Sequence, residues 1–305
     1  MTHTIVIYHK SDFDGIFCRE IARKFLGETG VKYIGWEYGE PTPSVAPDHN
    51  LYILDLSVDQ LMTHPLLTWI DHHKTAIDTY IHPIKGYRID GVAACRLTWQ
   101  WFINQEHKQE NDDASLWLPL PTKEDYINRT VYEPLAVNLA GEYDIWDKRN
   151  PDADLFQHGL RSQELSQLDW EFLLTKQFQH SDGVCDAGTI LVRKLLSQGK
   201  TIHYAKTQEN ESVIKSNGFT IKFEGLTFLC CNAAKYNSHL FSAGILPEHD
   251  GLLGFALRSD RSWSISLYGV PGKPNIDLST IAKKYGGGGH KQACGFKTKD
   301  LFFLN

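Results

Sequence analysis

Four short apolar runs, at residues 4–8, 31–36, 51–56 and 66–70, alternate with stretches of helical period, and this rhythm restricts the first half of the chain more than any other feature. Phe17, Ile21 and Phe25 recur every four residues after the first run. Val92, Cys95, Trp99 and Phe102 predict a second helix, and Ile127, Val131, Leu135 and Leu139 a third. Strands spaced by helices predict a mainly parallel sheet with flanking helices, because consecutive parallel strands are joined by crossovers. In such sheets ligands gather beyond the carboxyl ends of the strands.

The second half has its own pattern. A helical stretch from residue 187, carried by Ile190, Leu191, Leu195 and Ile202, fades into the polar segment 206–211. Beyond it, runs at 219–223, 226–231, 252–257 and 263–268 read as strands, and 278–285 as a short helix. The expected architecture is α/β throughout: a first domain over 1–186, a linker helix over 187–212, and a smaller α/β domain over 213–305. The polar stretch 105–123, with Asn111, Asp112, Asp113, Pro119 and Pro121, reads as a surface loop.

Composition narrows the function. With 31 basic against 37 acidic residues the net charge is −6, which argues against binding long duplex nucleic acid, since that requires a basic face. No apolar run approaches the roughly 20 residues of a membrane helix. The start of the chain lacks the pattern of a secretory signal, so a cytoplasmic location is expected. The six cysteines (Cys18, Cys95, Cys185, Cys230, Cys231 and Cys294) form no CxxC pair and read as free thiols, with Cys230 and Cys231 buried in a strand.

Acids and histidines concentrate where predicted elements end: His9, Asp12 and Asp14 after the first strand, Asp55 at the end of the third, Asp71, His72 and His73 after the fourth, and Asp144 with Asp147 after a helix. Each segment alone has an ordinary reading. Asp14 could cap the helix that follows, the histidines could sit in a turn, and Asp144 could be a helix-end charge. Together they point to one site, where crowded carboxylates would take up protons unless cations neutralise them. Oxygen and imidazole donors without Cys suit Mn²⁺ better than a structural Zn²⁺ site. A pair of ions sharing one Asp can activate water for attack at phosphorus.

The set His9-x-x-Asp12-x-Asp14-Gly15, Asp55, Asp71-His72-His73 and Asp144 resembles the DHH phosphoesterase family, named for that triplet. Gly286-Gly287-Gly288-Gly289-His290, followed by Ala293 and Gly295, resembles the signature of the companion DHHA1 domain. The resemblance implies an active site in the cleft between the domains and two Mn²⁺ ions, with Mg²⁺ as the alternative. His9, Asp12 and Asp55 would hold one, and Asp14, Asp55, His72 and Asp144 the other. Asp71 would be a further ligand or would orient an imidazole, and His73 would reach the scissile phosphate or protonate the leaving oxygen. The spacing from His9 to Asp12 is one residue shorter than in several relatives, and Asp147 competes with Asp144 for the last ligand position.

In the second domain, consecutive glycines let backbone N–H groups approach an anion closely. Gly287, Gly288, Gly289, His290 and Arg258 are the candidates for gripping the substrate's terminal phosphate or base. Arg258 is chosen for its fork-shaped guanidinium, although a surface arginine on a strand is the plainer reading. The run Tyr143-Asp144-Ile145-Trp146 resembles the branch of short two-domain enzymes that degrade nanoRNA. Hydrolysis of dinucleotides and very short oligonucleotides to 5′-mononucleotides is therefore expected. A 3′-phosphoadenosine 5′-phosphate phosphatase and a cyclic-dinucleotide phosphodiesterase are alternatives with the same chemistry. A non-catalytic nucleotide sensor or scaffold is an alternative of another class. An oligomer is compatible with all of these.

Overall fold

The computed structural model describes residues 3–110, 121–147, 149–175, 187–273 and 276–304. Cys185 and residues 111–120 of the stretch expected as a loop at 105–123, including Asn111, Asp112, Asp113 and Pro119, lie outside the described residues, while 105–110 are helical and not loop. The chain divides into two compact units, Met1–Thr201 and Ile202–Asn305.

The first unit opens with strand β1 (Thr4–His9), helix α1 (Phe13–Leu26), and strands β2 (Val31–Trp36), β3 (Asn50–Leu54) and β4 (Leu67–Ile70). Helices α2 (Lys74–Thr79), α3 (Ala94–Glu110), α4 (Lys123–Ile127), α5 (Leu135–Asp144), α6 (Asp152–Arg161) and α7 (Trp170–Leu173) follow, and α8 (Ala187–Asn217) begins here. The strands form a wholly parallel sheet in the order β2-β1-β3-β4. Side chains alternate between its two buried faces, as the apolar runs require. Ile5, Ile7, Leu51, Ile53 and Trp69 pack with Val58, Met62 and Ala76 on one face. Val6, Leu54 and Ile70 pack on the other, with Phe17 and Ile21 of α1, Cys95 and Trp99 of α3, and Leu139 of α5.

Register decides what meets at the edge of this sheet. Tyr8 is paired with Leu54, and Leu54 with Ile70, so His9, Asp55 and Asp71, each one position further on, share the carboxyl edge. The chain leaves β1 toward β2 on one side and returns to β3 on the other, which makes the β1/β3 border the switch point where such folds open a crevice.

The expected helix through Ile127, Val131, Leu135 and Leu139 is instead two, α4 and α5. Asn128 ends the first, Arg129 has a left-handed φ of 57°, and Pro134, which has no N–H to continue a helix, stands at the start of the second. Apolar spacing alone carries the period across a break that the proline marks.

In the second unit, β5 (Gly218–Phe223), β6 (Leu226–Asn232), β7 (Gly251–Leu257), β8 (Trp263–Gly269), α9 (Ser279–Lys284), β9 (Gly288–His290) and β10 (Ala293–Thr298) follow the end of α8. The strands form a mixed sheet in the order β5-β6-β7-β8-β10-β9, in which only β6 and β7 are parallel. Phe228, Cys230, Leu253 and Leu267 pack on one face with Ile281 and Ala282 of α9. Leu229, Cys231 and Leu252 pack on the other with Ile214 of α8. Cys230 and Cys231 are thus buried on opposite faces of one strand, and Cys18, Cys95 and Cys294 are likewise buried free thiols. The polar segment 206–211 stays helical, and α8 runs on to Asn217. Among the described residues no helix is long and apolar enough to cross a membrane.

Candidate metal centre

The loop after β1 is built around Gly15. A Cβ there would lie 1.9 Å from the carbonyl oxygen of His9, so only glycine lets α1 start this close to the strand end. Asp12 caps α1: its Oδ1 accepts from the Gly15 N–H at 3.0 Å, while its Oδ2 lies 2.8 Å from His9 Nδ1. Asp14, in the first turn of α1, does not cap that helix. Its two carboxylate oxygens accept from the N–H groups of Ala94 and Cys95 at 2.8 and 2.7 Å, at the start of α3.

Asp55 stands at the centre of the cluster. It is 1% exposed, has a left-handed φ of 64°, and neither of its carboxylate oxygens receives a hydrogen bond from the described residues. His9 Nδ1 is 3.5 Å from one oxygen, and His72 Nε2 is 3.5 Å from the other. An unsolvated carboxylate held in a sparsely populated backbone conformation needs a compensating interaction. His72 Nε2 also lies 3.6 Å from Asp14 Oδ2 and 3.3 Å from Asp144 Oδ2. Two sets of donors result, His9 with Asp12 and Asp55, and Asp14 with His72 and Asp144, each within 4.8 Å of one another. Asp55, His72 and His73 form a third, overlapping set.

Asp71 plays a different part. Fully buried, it accepts with Oδ1 from the N–H groups of His72 and His73 and from His73 Nδ1, the last at 2.7 Å, so it shapes the turn and fixes the His73 ring. Asp144, at the end of α5, faces His72, whereas Asp147 is held by Arg149, whose Nε donates to it at 2.8 Å. The geometry thus brings Asp144 and not Asp147 to the cluster.

The electrostatics are those of crowded carboxylates. Burial and the neighbouring Asp14 push the Asp55 carboxyl well above the usual range. Burial and Asp14 do the same to Asp144. The Asp12 carboxylate, followed by Asp55, raises His9 to about 11. Carboxylates crowded in this way favour a bound cation. The unpartnered oxygens of Asp55 and an all-oxygen and imidazole donor set fit divalent ions of the Mn²⁺ or Mg²⁺ kind.

Sequence reasoning passes over Glu37, whose Oε2 lies 3.3 Å from His9 Nε2. The signal is present, since Glu37 follows β2 just as Asp55 follows β3.

In the second unit Arg258 is exposed in the β7–β8 turn, its N–H donating to the Ser262 carbonyl. Two glycines of the tetrad are explained by packing. A Cβ at Gly287 would lie 2.0 Å from the Gly295 carbonyl oxygen, and one at Gly289 (φ 128°) would lie 2.7 Å from Cys294 Cα. Gly288 has open space around it. The His290 side chain lies outside what is described, and the backbone places it at the end of β9.

No family model matches the chain, and no curated protein matches it. Solved structures do. The chain is similar to the DHH domain of a member of a family of ribosomal proteins, with a TM-score of 0.52 and 14% identity over 96% of this chain and 82% of that one. An exopolyphosphatase-related protein from Bacteroides fragilis matches with a TM-score of 0.47 and 12% identity over 98% and 88% of the two chains. A pGpG-specific phosphodiesterase from Vibrio cholerae matches with a TM-score of 0.45 and 13% identity over 97% and 93%. The first of these likenesses is one of fold: a parallel-sheet unit followed along the chain by a mixed-sheet unit, as in a DHH-like protein.

Proposed function

We propose that this chain is a metal-dependent phosphodiesterase that hydrolyses dinucleotides and very short oligonucleotides to 5′-mononucleotides. The observation that carries the metal-dependent part is Asp55, buried without a hydrogen bond from the described residues and flanked by an imidazole at each oxygen. His9, Asp12 and Asp55 would hold one Mn²⁺, and Asp14, Asp55, His72 and Asp144 the other. Bound there, such ions supply Lewis acidity, which acidifies water and offsets charge on the phosphoryl oxygens.

The chain's own residues do the rest. Asp71 fixes the His73 ring through Nδ1 and raises its proton affinity, which suits His73 to reach the scissile phosphate or to protonate the departing ribose oxygen. Arg258, the N–H groups of Gly287, Gly288 and Gly289, and His290 are assigned to the terminal phosphate or base. A compact donor set and a net charge of −6 suit a short substrate better than a long strand.

The test is release of mononucleotide from pApA in Mn²⁺, with Asp55→Ala as the control and pGpG, cyclic dinucleotides and 3′-phosphoadenosine 5′-phosphate assayed beside it. Cleavage of pApA that is lost in Asp55→Ala is expected. Preferred cleavage of another member of the panel would replace the substrate but keep the chemistry. Binding without cleavage of any of them would overturn the enzyme reading in favour of a sensor.

A further inference from the structure

We propose that Glu37 is a positioning residue for His9, fixing the imidazole so that Nδ1 presents its lone pair to a cation. The inference rests on the metal-dependent reading above and deepens it. Trp36, the last residue of β2, is the register partner of His9, so Glu37 enters the loop directly beside the histidine. His9 Nε2 lies 3.4 Å from Glu37 Oε1 and 3.3 Å from Oε2. The opposite ring nitrogen, Nδ1, faces Asp12 and Asp55, close to both and aligned for a hydrogen bond with neither.

A neutral imidazole has one N–H and one lone pair, and a carboxylate only accepts. A carboxylate at Nε2 therefore selects the tautomer with the proton there and the lone pair on Nδ1, the arrangement by which outer carboxylates orient metal-binding histidines. Glu37 is itself pinned. The Tyr38 N–H donates to its Oε1 at 3.0 Å, the Ser11 hydroxyl donates to its Oε2, and its own N–H donates to Glu40, which Lys10 grips in turn. These contacts place Glu37 to hold His9, and it belongs to none of the donor sets found among the described residues.

The experiment is calorimetric titration of Mn²⁺ into the full chain and into Glu37→Gln and Glu37→Ala, with circular dichroism to show that each is folded. The expected result is two ions in the wild type, with one of them bound about 10–100-fold more weakly by Glu37→Ala. Glu37→Gln, whose amide oxygen can still accept from Nε2–H, should fall between them. A positioning role also predicts a slowly exchanging Nε2 proton on His9 in ¹⁵N spectra of the Mg²⁺-loaded protein, absent from Glu37→Ala. Wild-type affinity for both ions in Glu37→Ala would overturn the assignment, as would equal loss of both. A wild type that binds no Mn²⁺ would instead overturn the metal-dependent reading itself.

Discussion

The carboxylate of Asp14, in the first turn of α1, accepts a hydrogen bond from the N–H of Cys95 at 2.7 Å, 81 residues along the chain. With Ala94 donating to its other oxygen, this candidate ligand also serves as the anionic cap of α3, where its charge meets the positive end of the helix dipole. Asp14→Ala should lower stability by about 2–3 kcal/mol for the two charge-assisted bonds, and Asp14→Asn by less, since one acceptor oxygen remains. Urea unfolding in the presence of a chelator isolates this role from metal binding. Equal stability of the three proteins would show that the cap contributes nothing.

Much of this site is legible in the sequence because its logic is one of register. An acid or histidine one position past an apolar run lands on the carboxyl edge of a parallel sheet, and His9, Asp55 and Asp71 do so. What cannot be read there is the direction of each carboxylate. Local spacing makes Asp14 a candidate cap for its own helix, yet it caps a distant one, a tertiary contact that no local pattern encodes. The choice between Asp144 and Asp147 needs Arg149, which folds back on Asp147 from two residues away. The glycine tetrad reads in the sequence as anion-binding freedom alone, and the close approach of β10 at Gly287 and Gly289 gives two of its members a packing reason.

Asp55 is expected to be an unfavourable residue for the fold in chelator. Its buried carboxyl is pushed upward by desolvation and by Asp14, and nothing among the described residues donates to it. Asparagine keeps its shape and tolerates the left-handed φ of 64° better than most residues. Asp55→Asn should therefore be at least as stable as the wild type in chelator, because the amide carries no charge to desolvate or to repel Asp14, and should lose the stabilisation that Mn²⁺ gives the wild type. Thermal melts with and without Mn²⁺ read both effects. An Asp55→Asn protein less stable than the wild type in chelator would contradict the argument.

His9 makes metal-free stability depend on pH. Its folded value of about 11 lies above the ordinary value of 6.5, so the stability it contributes is complete below 6.5 and is lost as pH rises through 11. Between these values the difference in unfolding free energy between wild type and His9→Ala, measured in chelator, should shrink steadily with pH. Metal binding should also release the His9 proton at about pH 8, so His9→Ala should release about one proton fewer in calorimetry repeated in buffers of different ionisation enthalpy. A pH-independent difference would mean that His9 is not protonated in the metal-free fold.

Gly287 and Gly288 separate packing from binding in the second unit. Alanine at Gly287 would drive its Cβ into the Gly295 carbonyl, at the turn where the Gly287 N–H closes α9 on the Ala282 carbonyl at 2.9 Å. Gly287→Ala should therefore destabilise the protein by about 1–3 kcal/mol, the usual range for overpacking. Nothing lies within 4 Å of a Cβ at Gly288, so Gly288→Ala should leave the melting temperature unchanged. If the backbone here approaches a phosphate, the added methyl must instead raise KM for pApA several-fold at similar kcat, since it obstructs binding without touching the reacting atoms. Unchanged KM in a folded Gly288→Ala would remove the tetrad from the substrate site and leave Gly287 and Gly289 with a packing role alone.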